Sequence, residues 1–178
     1  LAVSSKDFGS PFHFFLHQLI YVCIGLMLAY GASRVSLVRW QQLSPVILLI
    51  AIVGLICVLV PGIGKSINGA RRWIGLGFFH LQVSELAKFA MMIYLASYLS
   101  RRHREVCDTN WGFLKPLIVL ASLGLLLLLE PDFGATAVIV VVTLGMMFLA
   151  GAPLKKFIIL VCIAICMLAL LVVFAPYR

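Results

Sequence analysis

The chain has 178 residues, 63% of them hydrophobic and 11% charged, with a mean hydropathy of +1.15. That composition excludes an ordinary soluble globular domain, and the apolar residues gather in blocks of roughly 17 to 22, the length a helix needs to cross about 30 Å of hydrocarbon. In a soluble protein the formal net charge of +8 would suggest nucleic acid; here it points to topology and anionic head groups, and no nucleic-acid partner is expected.

The expected fold is all-α: a polytopic integral membrane helical bundle, one transmembrane domain over 1–178, with six transmembrane helices of about 20 residues each. No alternation over about ten residues, the mark of a membrane β-strand, is visible. Residues 1–11 read as a polar surface loop, and a chain opening on Leu1 reads as a piece of a longer one. The first two spans fall at about 12–32 and 43–61, the second stopped by Pro61, Gly62 and Gly64. His13 and His17 share a helix face, as zinc ligands can, but with no third ligand nearby they read as interfacial packing.

Residues 62–83 are expected to form an outer surface loop lying on the membrane, since Trp73, Phe78 and Phe79 make them too aromatic for a plain connector. A span at about 84–100 ends in Arg101, Arg102 and Arg104, and a polar loop with Glu105, Asp108, Asn110 and Trp111 leads to another at 113–129. A hairpin turn at 130–134 joins it to 135–150, and a final span covers about 157–175. The five cysteines are scattered, with no CxxC spacing, and read as small apolar residues rather than a disulfide or metal framework.

Alternating the spans places Arg34, Arg39, Arg101, Arg102, Arg104, Lys115, Lys155 and Lys156 on one side and Lys6, Lys65, Arg71, Arg72 and Arg178 on the other. The first set goes inside by the positive-inside rule, so 62–83 faces outward. Lys65, Arg71 and Arg72 then sit on the unfavoured side, which suggests that they serve a ligand.

Glu85 falls in the first turn of its span, where a carboxylate gains about 0.3 to 1 kcal/mol from the helix N-terminus. Lys88 shares that face about 4.5 Å deeper. A lysine at membrane depth costs from about 3 to more than 10 kcal/mol. Glu85, Lys88 and Asp132 are therefore expected to point into the bundle. The pair reads either as a structural salt bridge or as the lining of a head-group site. Asp132 suits an N-cap for the following span, or a place facing Lys88 or Arg72 across an outer cavity. Arg71 and Arg72, followed by Trp73, suit an anion clamp, since guanidinium forks match phosphate oxygens; binding to ordinary phospholipid is the plainer alternative.

The runs NGARRWIGLGFFHLQVSELAKF, YLASYLSRR, GFLKPL, LEPDFGAT, MMFLAGA and APYR, in that order, resemble the cell-division branch of the SEDS (shape, elongation, division, sporulation) family. The sequence departs from the family pattern at Gly75, where Asp is common, at Val83, where Pro is common, and at Glu130, commonly Gln. The resemblance implies a ten-helix, multi-pass protein of the bacterial inner membrane at the division septum, with 62–83 periplasmic. Its activity would be that of a peptidoglycan glycosyltransferase that polymerises lipid II, an undecaprenyl-linked sugar, beside a class B penicillin-binding protein and other division proteins. By the same resemblance this stretch covers about family helices two to seven and lacks the later outer loop with the catalytic aspartate. No catalytic residue is therefore expected in it, and alone it is expected to be inactive. Arg72, Glu85, Lys88 and Asp132 match family positions tied to substrate or to the architecture of the site, and Lys65 and Arg71 are candidates for further head-group contacts. No cofactor is evident; a divalent cation could help oppose pyrophosphate charge, though no ligand cluster is visible. A lipid II flippase and a membrane scaffold for division proteins are the competing readings.

Overall fold

The computed structural model describes residues 13–60, 64–67, 70–76 and 79–174. The chain forms two units, Leu1–Trp40 and Gln41–Arg178. In the first, helix α1 (His13–Ser33) is exposed at every residue from Gln18 through Gly31, with Leu19, Ile20, Leu26, Met27 and Leu28 spread around it. A helix that is apolar on all sides is at home among acyl chains. Its last turn is tied by polar aromatics of the kind found at a membrane interface. The Arg34 guanidinium bonds the Tyr30 hydroxyl and lies over its ring, 4.8 Å from the centroid, and the Trp40 indole donates to the Ala32 carbonyl at 3.3 Å. The side chains of His13 and His17 lie outside the described residues.

Helix α2 (Leu37–Leu59) leads into the second unit, where three strands follow: β1 (Gly64–Ile67), β2 (Ala70–Leu76) and β3 (Phe79–Gln82). Four further helices of this unit come next, α3 (Val83–Arg101), the short α4 (His103–Asp108), α5 (Asn110–Leu129) and α6 (Phe133–Leu149), and then α7 (Leu154–Phe174). The unit is a helical membrane bundle with a small sheet at one end of α3. Among the described residues, α2 and α5 are individually long and apolar enough to cross a bilayer.

The sheet corrects the expectation of a surface loop over 62–83. Its order is β1-β2-β3, antiparallel throughout. Ile67 pairs with Ala70, so the connection between β1 and β2 is the dipeptide Asn68-Gly69, a sequence favoured in two-residue hairpins. Leu76 pairs with Phe79 where β2 and β3 meet. A free hairpin is marginal in water; this one is anchored by Ile74, which packs on the apolar core of the bundle. A second correction falls in the polar stretch after α3, where α4 forms instead of a loop.

Alanines set among larger apolar residues of the core let the helices approach closely. Leu48, Ala51, Leu55 and Val58 of α2 meet Val83, Ala87, Ala90 and Met91 of α3, Leu123 and Leu127 of α5, and Ala135 and Ile139 of α6. A second cluster at the other end of α3 joins Leu95, Tyr98 and Leu99 to Val106, Phe113, Met147 and Ala152. There the Tyr98 hydroxyl donates to the Gly112 carbonyl at 2.9 Å, and Gly112 lies so close to α4 that a Cβ would stand 2.1 Å from the Glu105 carbonyl oxygen.

Candidate functional site

The site candidates gather at the sheet end of the second unit because β3 runs into α3 without a linker: Gln82 is both the last strand residue and the N-cap of the helix, with φ −86° and ψ 113°. An extended cap residue throws its side chain off the helix axis. The Gln82 amide donates to Ser84 Oγ at 3.0 Å and to Asp132 Oδ2 at 3.4 Å. Asp132, 6% exposed, caps α6: its Oδ1 accepts from the Ala135 amide at 3.2 Å, and its carbonyl accepts from the Thr136 hydroxyl at 2.9 Å. One carboxylate thus binds its own helix with one oxygen and the start of α3 with the other. Two helix N-termini, each equivalent to roughly half a positive charge, are held side by side, a local field that favours anions.

Lys88 lies one turn into α3. Helical side chains tilt toward the N-terminus, and the Lys88 ammonium reaches back to Glu85 Oε1 at 2.7 Å. The two are not equally placed: the Lys88 side chain is 21% exposed and that of Glu85 62%. The expectation that Glu85 points into the bundle is therefore corrected. It sits in the exposed first turn of α3, where a carboxylate gains from the helix N-terminus without being buried. The Lys88 stem, by contrast, runs between α3 and α6 and borders a cavity of about 10 Å³ beside Met91, Leu95, Ile139 and Thr143. Such a cavity suits about one water molecule, far less than a sugar. A larger apolar groove of about 430 Å³ lies among α5, α6 and α7, walled by Leu120, Gly124, Val140, Leu144 and Ile163.

Of the basic residues on the sheet, Lys65 pairs with Trp73 across β1 and β2, and Arg71 pairs with Ser66. Arg72 falls between those two pairs as the extra residue of a β-bulge, a feature that re-aims a side chain. The side chains of Lys65, Arg71 and Arg72 lie outside the described residues. The register still connects them to the helix ends, because Trp73, next to Arg72, is also the β3 partner of Gln82. Gln82 is the member that sequence reasoning passed over. It stands 50 residues from Asp132, and only the fold brings the two together.

Among the described residues, no three His, Cys, Asp or Glu side chains gather closely enough to hold a metal ion, so a divalent cation has no ligand set there. All five cysteines are free thiols.

A family model described as "Cell cycle protein", that of FtsW, RodA and SpoVE, matches residues 1–178. The chain is 48% identical over 178 residues to the probable peptidoglycan glycosyltransferase FtsW of Coxiella burnetii, covering 100% of this chain and 48% of that one. It is 46% identical over 176 residues to the protein of the same name from Legionella pneumophila, covering 99% and 45%. The chain thus spans about half the length of the curated relatives it matches. Among solved structures, the rod shape determining protein RodA of Thermus thermophilus superposes with a TM-score of 0.74 at 26% identity, over 92% of this chain and 53% of that one. A structure described as "Structural coordination of polymerization and crosslinking by a peptidoglycan synthase complex" superposes at 0.73 and 27% identity, over 99% and 52%.

Proposed function

Because the chain belongs to the FtsW/RodA/SpoVE family of cell cycle proteins, we propose that it forms the donor-holding part of a peptidoglycan glycosyltransferase that joins lipid II units into glycan strands during bacterial division. The observation that carries this reading is the sheet end of the second unit, where the starts of α3 and α6 are tied through Gln82 and Asp132 above the Lys88–Glu85 pair. The names of the relatives support the reaction class.

In this reaction an acceptor sugar hydroxyl attacks C1 of the lipid-linked donor. The new O–C1 bond forms as the bond from C1 to the pyrophosphate oxygen breaks. The hydroxyl proton passes to a general base, and undecaprenyl pyrophosphate leaves with the electron pair. Charge grows on the leaving group, and cations fixed in a poorly hydrated place stabilise it more than water does. Lys88 and Arg72 take that role, with Lys65 and Arg71 as outer contacts on the pyrophosphate. Glu85 holds the Lys88 ammonium in place, and Asp132 holds the two helix ends in register. The sheet lies on the periplasmic side of the inner membrane at the septum. A class B penicillin-binding protein is the expected partner, a reading supported by the likeness to a peptidoglycan synthase complex.

The test is reconstitution of a purified full-length protein carrying this stretch with labelled lipid II. Glycan polymer should appear on a gel; Lys88→Ala should lower its yield by at least about tenfold, as loss of one charge-stabilising contact does, and Asp132→Ala should lower it by freeing the two helix ends from each other. Movement of lipid II between leaflets without polymer would instead establish a flippase. Full polymer yield from both variants would remove the site.

A further inference from the structure

The end of α3 remote from the sheet carries chemistry that the proposed reaction does not use. Ser100, Arg101, Arg102, His103, Arg104 and Glu105 surround a hollow of about 370 Å³. Its cations are unevenly engaged. Arg102 is held by Glu105, its Nη1 donating to both carboxylate oxygens at 3.0 and 2.9 Å, and that hydrogen bond raises the guanidinium pKa further. Lys115 reaches the same carboxylate at 3.9 Å. Arg101 is fixed by its Nε, which donates to the Ser97 carbonyl at 3.3 Å, so the outer fork of its guanidinium stays open. Among the described residues neither Arg101 nor Arg104 has an ion pair.

The depth of the hollow is marked by its neighbours. Gly112 is pressed against Glu105, and the residue before it, Trp111, is 66% exposed. An exposed tryptophan at the start of a membrane-crossing helix belongs at the level of lipid head groups. Lys155 and Lys156 open α7 at the same end, Lys156 over the Phe113 ring at 5.7 Å.

We propose that this hollow binds the phosphodiester head group of an anionic phospholipid, gripped by the guanidinium forks of Arg101 and Arg104. Arg forks match two phosphate oxygens at once, and a basic cluster just outside a membrane helix draws anionic lipid. The Arg102–Glu105 pair forms one wall and spends no free charge. The occupant is a lipid rather than a soluble phosphate because Trp111 and the apolar helix faces beside the hollow place it at the bilayer surface.

Native mass spectrometry of the purified protein, stripped of lipid and titrated with phosphatidylglycerol or phosphatidylcholine, tests the assignment. Phosphatidylglycerol should be retained preferentially, and inorganic phosphate at equal concentration should not displace it. Arg101→Gln with Arg104→Gln should weaken retention by about tenfold or more, since charge-assisted hydrogen bonds are lost. Should that variant fail to fold, Arg101→Lys with Arg104→Lys keeps the charge and removes only the forks; about threefold weaker retention then supports the site, and unchanged retention overturns it. Lys155→Gln with Lys156→Gln removes equal charge at the same end and should leave retention within about twofold if the hollow rather than the general field is responsible. An equal loss there, or equal retention of phosphatidylcholine by the unaltered protein, overturns the proposal.

Discussion

At Asp132 a single carboxylate serves two helices, and the two uses respond differently to substitution. Asp132→Ala removes the cap on Ala135 and the tie to the half-buried Gln82 amide, which keeps Ser84 Oγ as its other acceptor. Losing an N-cap costs about 1 kcal/mol, and the lost Gln82 hydrogen bond adds about 0.5 to 1.5 kcal/mol. Asp132→Asn keeps an oxygen for the cap, so its melting temperature should stay within a few degrees of the unaltered protein while Asp132→Ala falls clearly below it. If the acidic group matters to the reaction, the Asn variant should be folded and inactive; thermal unfolding paired with the polymer assay checks both. Glycines offer a second contrast at this scale. Gly112→Ala would drive a Cβ into the Glu105 backbone at 2.1 Å, whereas nothing lies within 4 Å of a Cβ built on Gly145. The first should destabilise strongly and the second should be neutral or raise stability by about 0.5 to 1 kcal/mol, the usual helix preference for Ala over Gly. Of these contacts only the Asp132 cap was legible in the sequence. Asp132 was recognisable as a cap by its place before an apolar run, but its bond to Gln82 depends on how two distant helices meet.

Among the elements, the apolar runs announced helices plainly, and the helical membrane bundle follows from them. The sheet was hidden for a physical reason. Strands of only 4, 7 and 4 residues are too short to display a clean alternation, and arginines and a tryptophan on one of them resemble an interfacial loop. Asn68-Gly69 was the overlooked signal, because that dipeptide between short segments favours a tight hairpin. Exposure along α3 was equally opaque. Spacing puts Glu85 and Lys88 on one face, but only depth separates a wet first turn from a buried second one. Where α2 meets α3, Gly54 approaches Val83 so closely that a Cβ would lie 2.9 Å from Val83 Cγ1. The obstacle is a side-chain tip, so Gly54→Ala should be tolerated with a small shift. Gly54→Leu should push the helices apart, costing about 1 to 3 kcal/mol as overpacked cores do; detergent-unfolding curves of the two variants measure the difference.

At the largest scale, the charge of the second unit is divided between the two ends of α3, which differ in kind. The sheet end holds Lys65, Arg71 and Arg72 with two helix N-termini, and the far end holds Arg101, Arg102, Arg104, Lys155 and Lys156 around helix termini and exposed loops. In the orientation proposed above, the second set faces the cytoplasm. A cysteine placed at position 72 in a cysteine-free background should thus react with an impermeant maleimide in intact spheroplasts, while one at position 104 should react only after lysis. The reverse labelling pattern would turn the molecule over and with it the proposed site.

Strand β3 ends at Gln82 and α3 begins at Val83, so nothing pliable separates them. Sheet and helix behave as the handle and shaft of a crank. Over the 19 residues of α3, about 28 Å at 1.5 Å per residue, a tilt of about 5° at the handle swings the opposite tip by roughly 2 to 3 Å. A displacement of β3 is thereby passed to the start of α3 with no loop between them to absorb it.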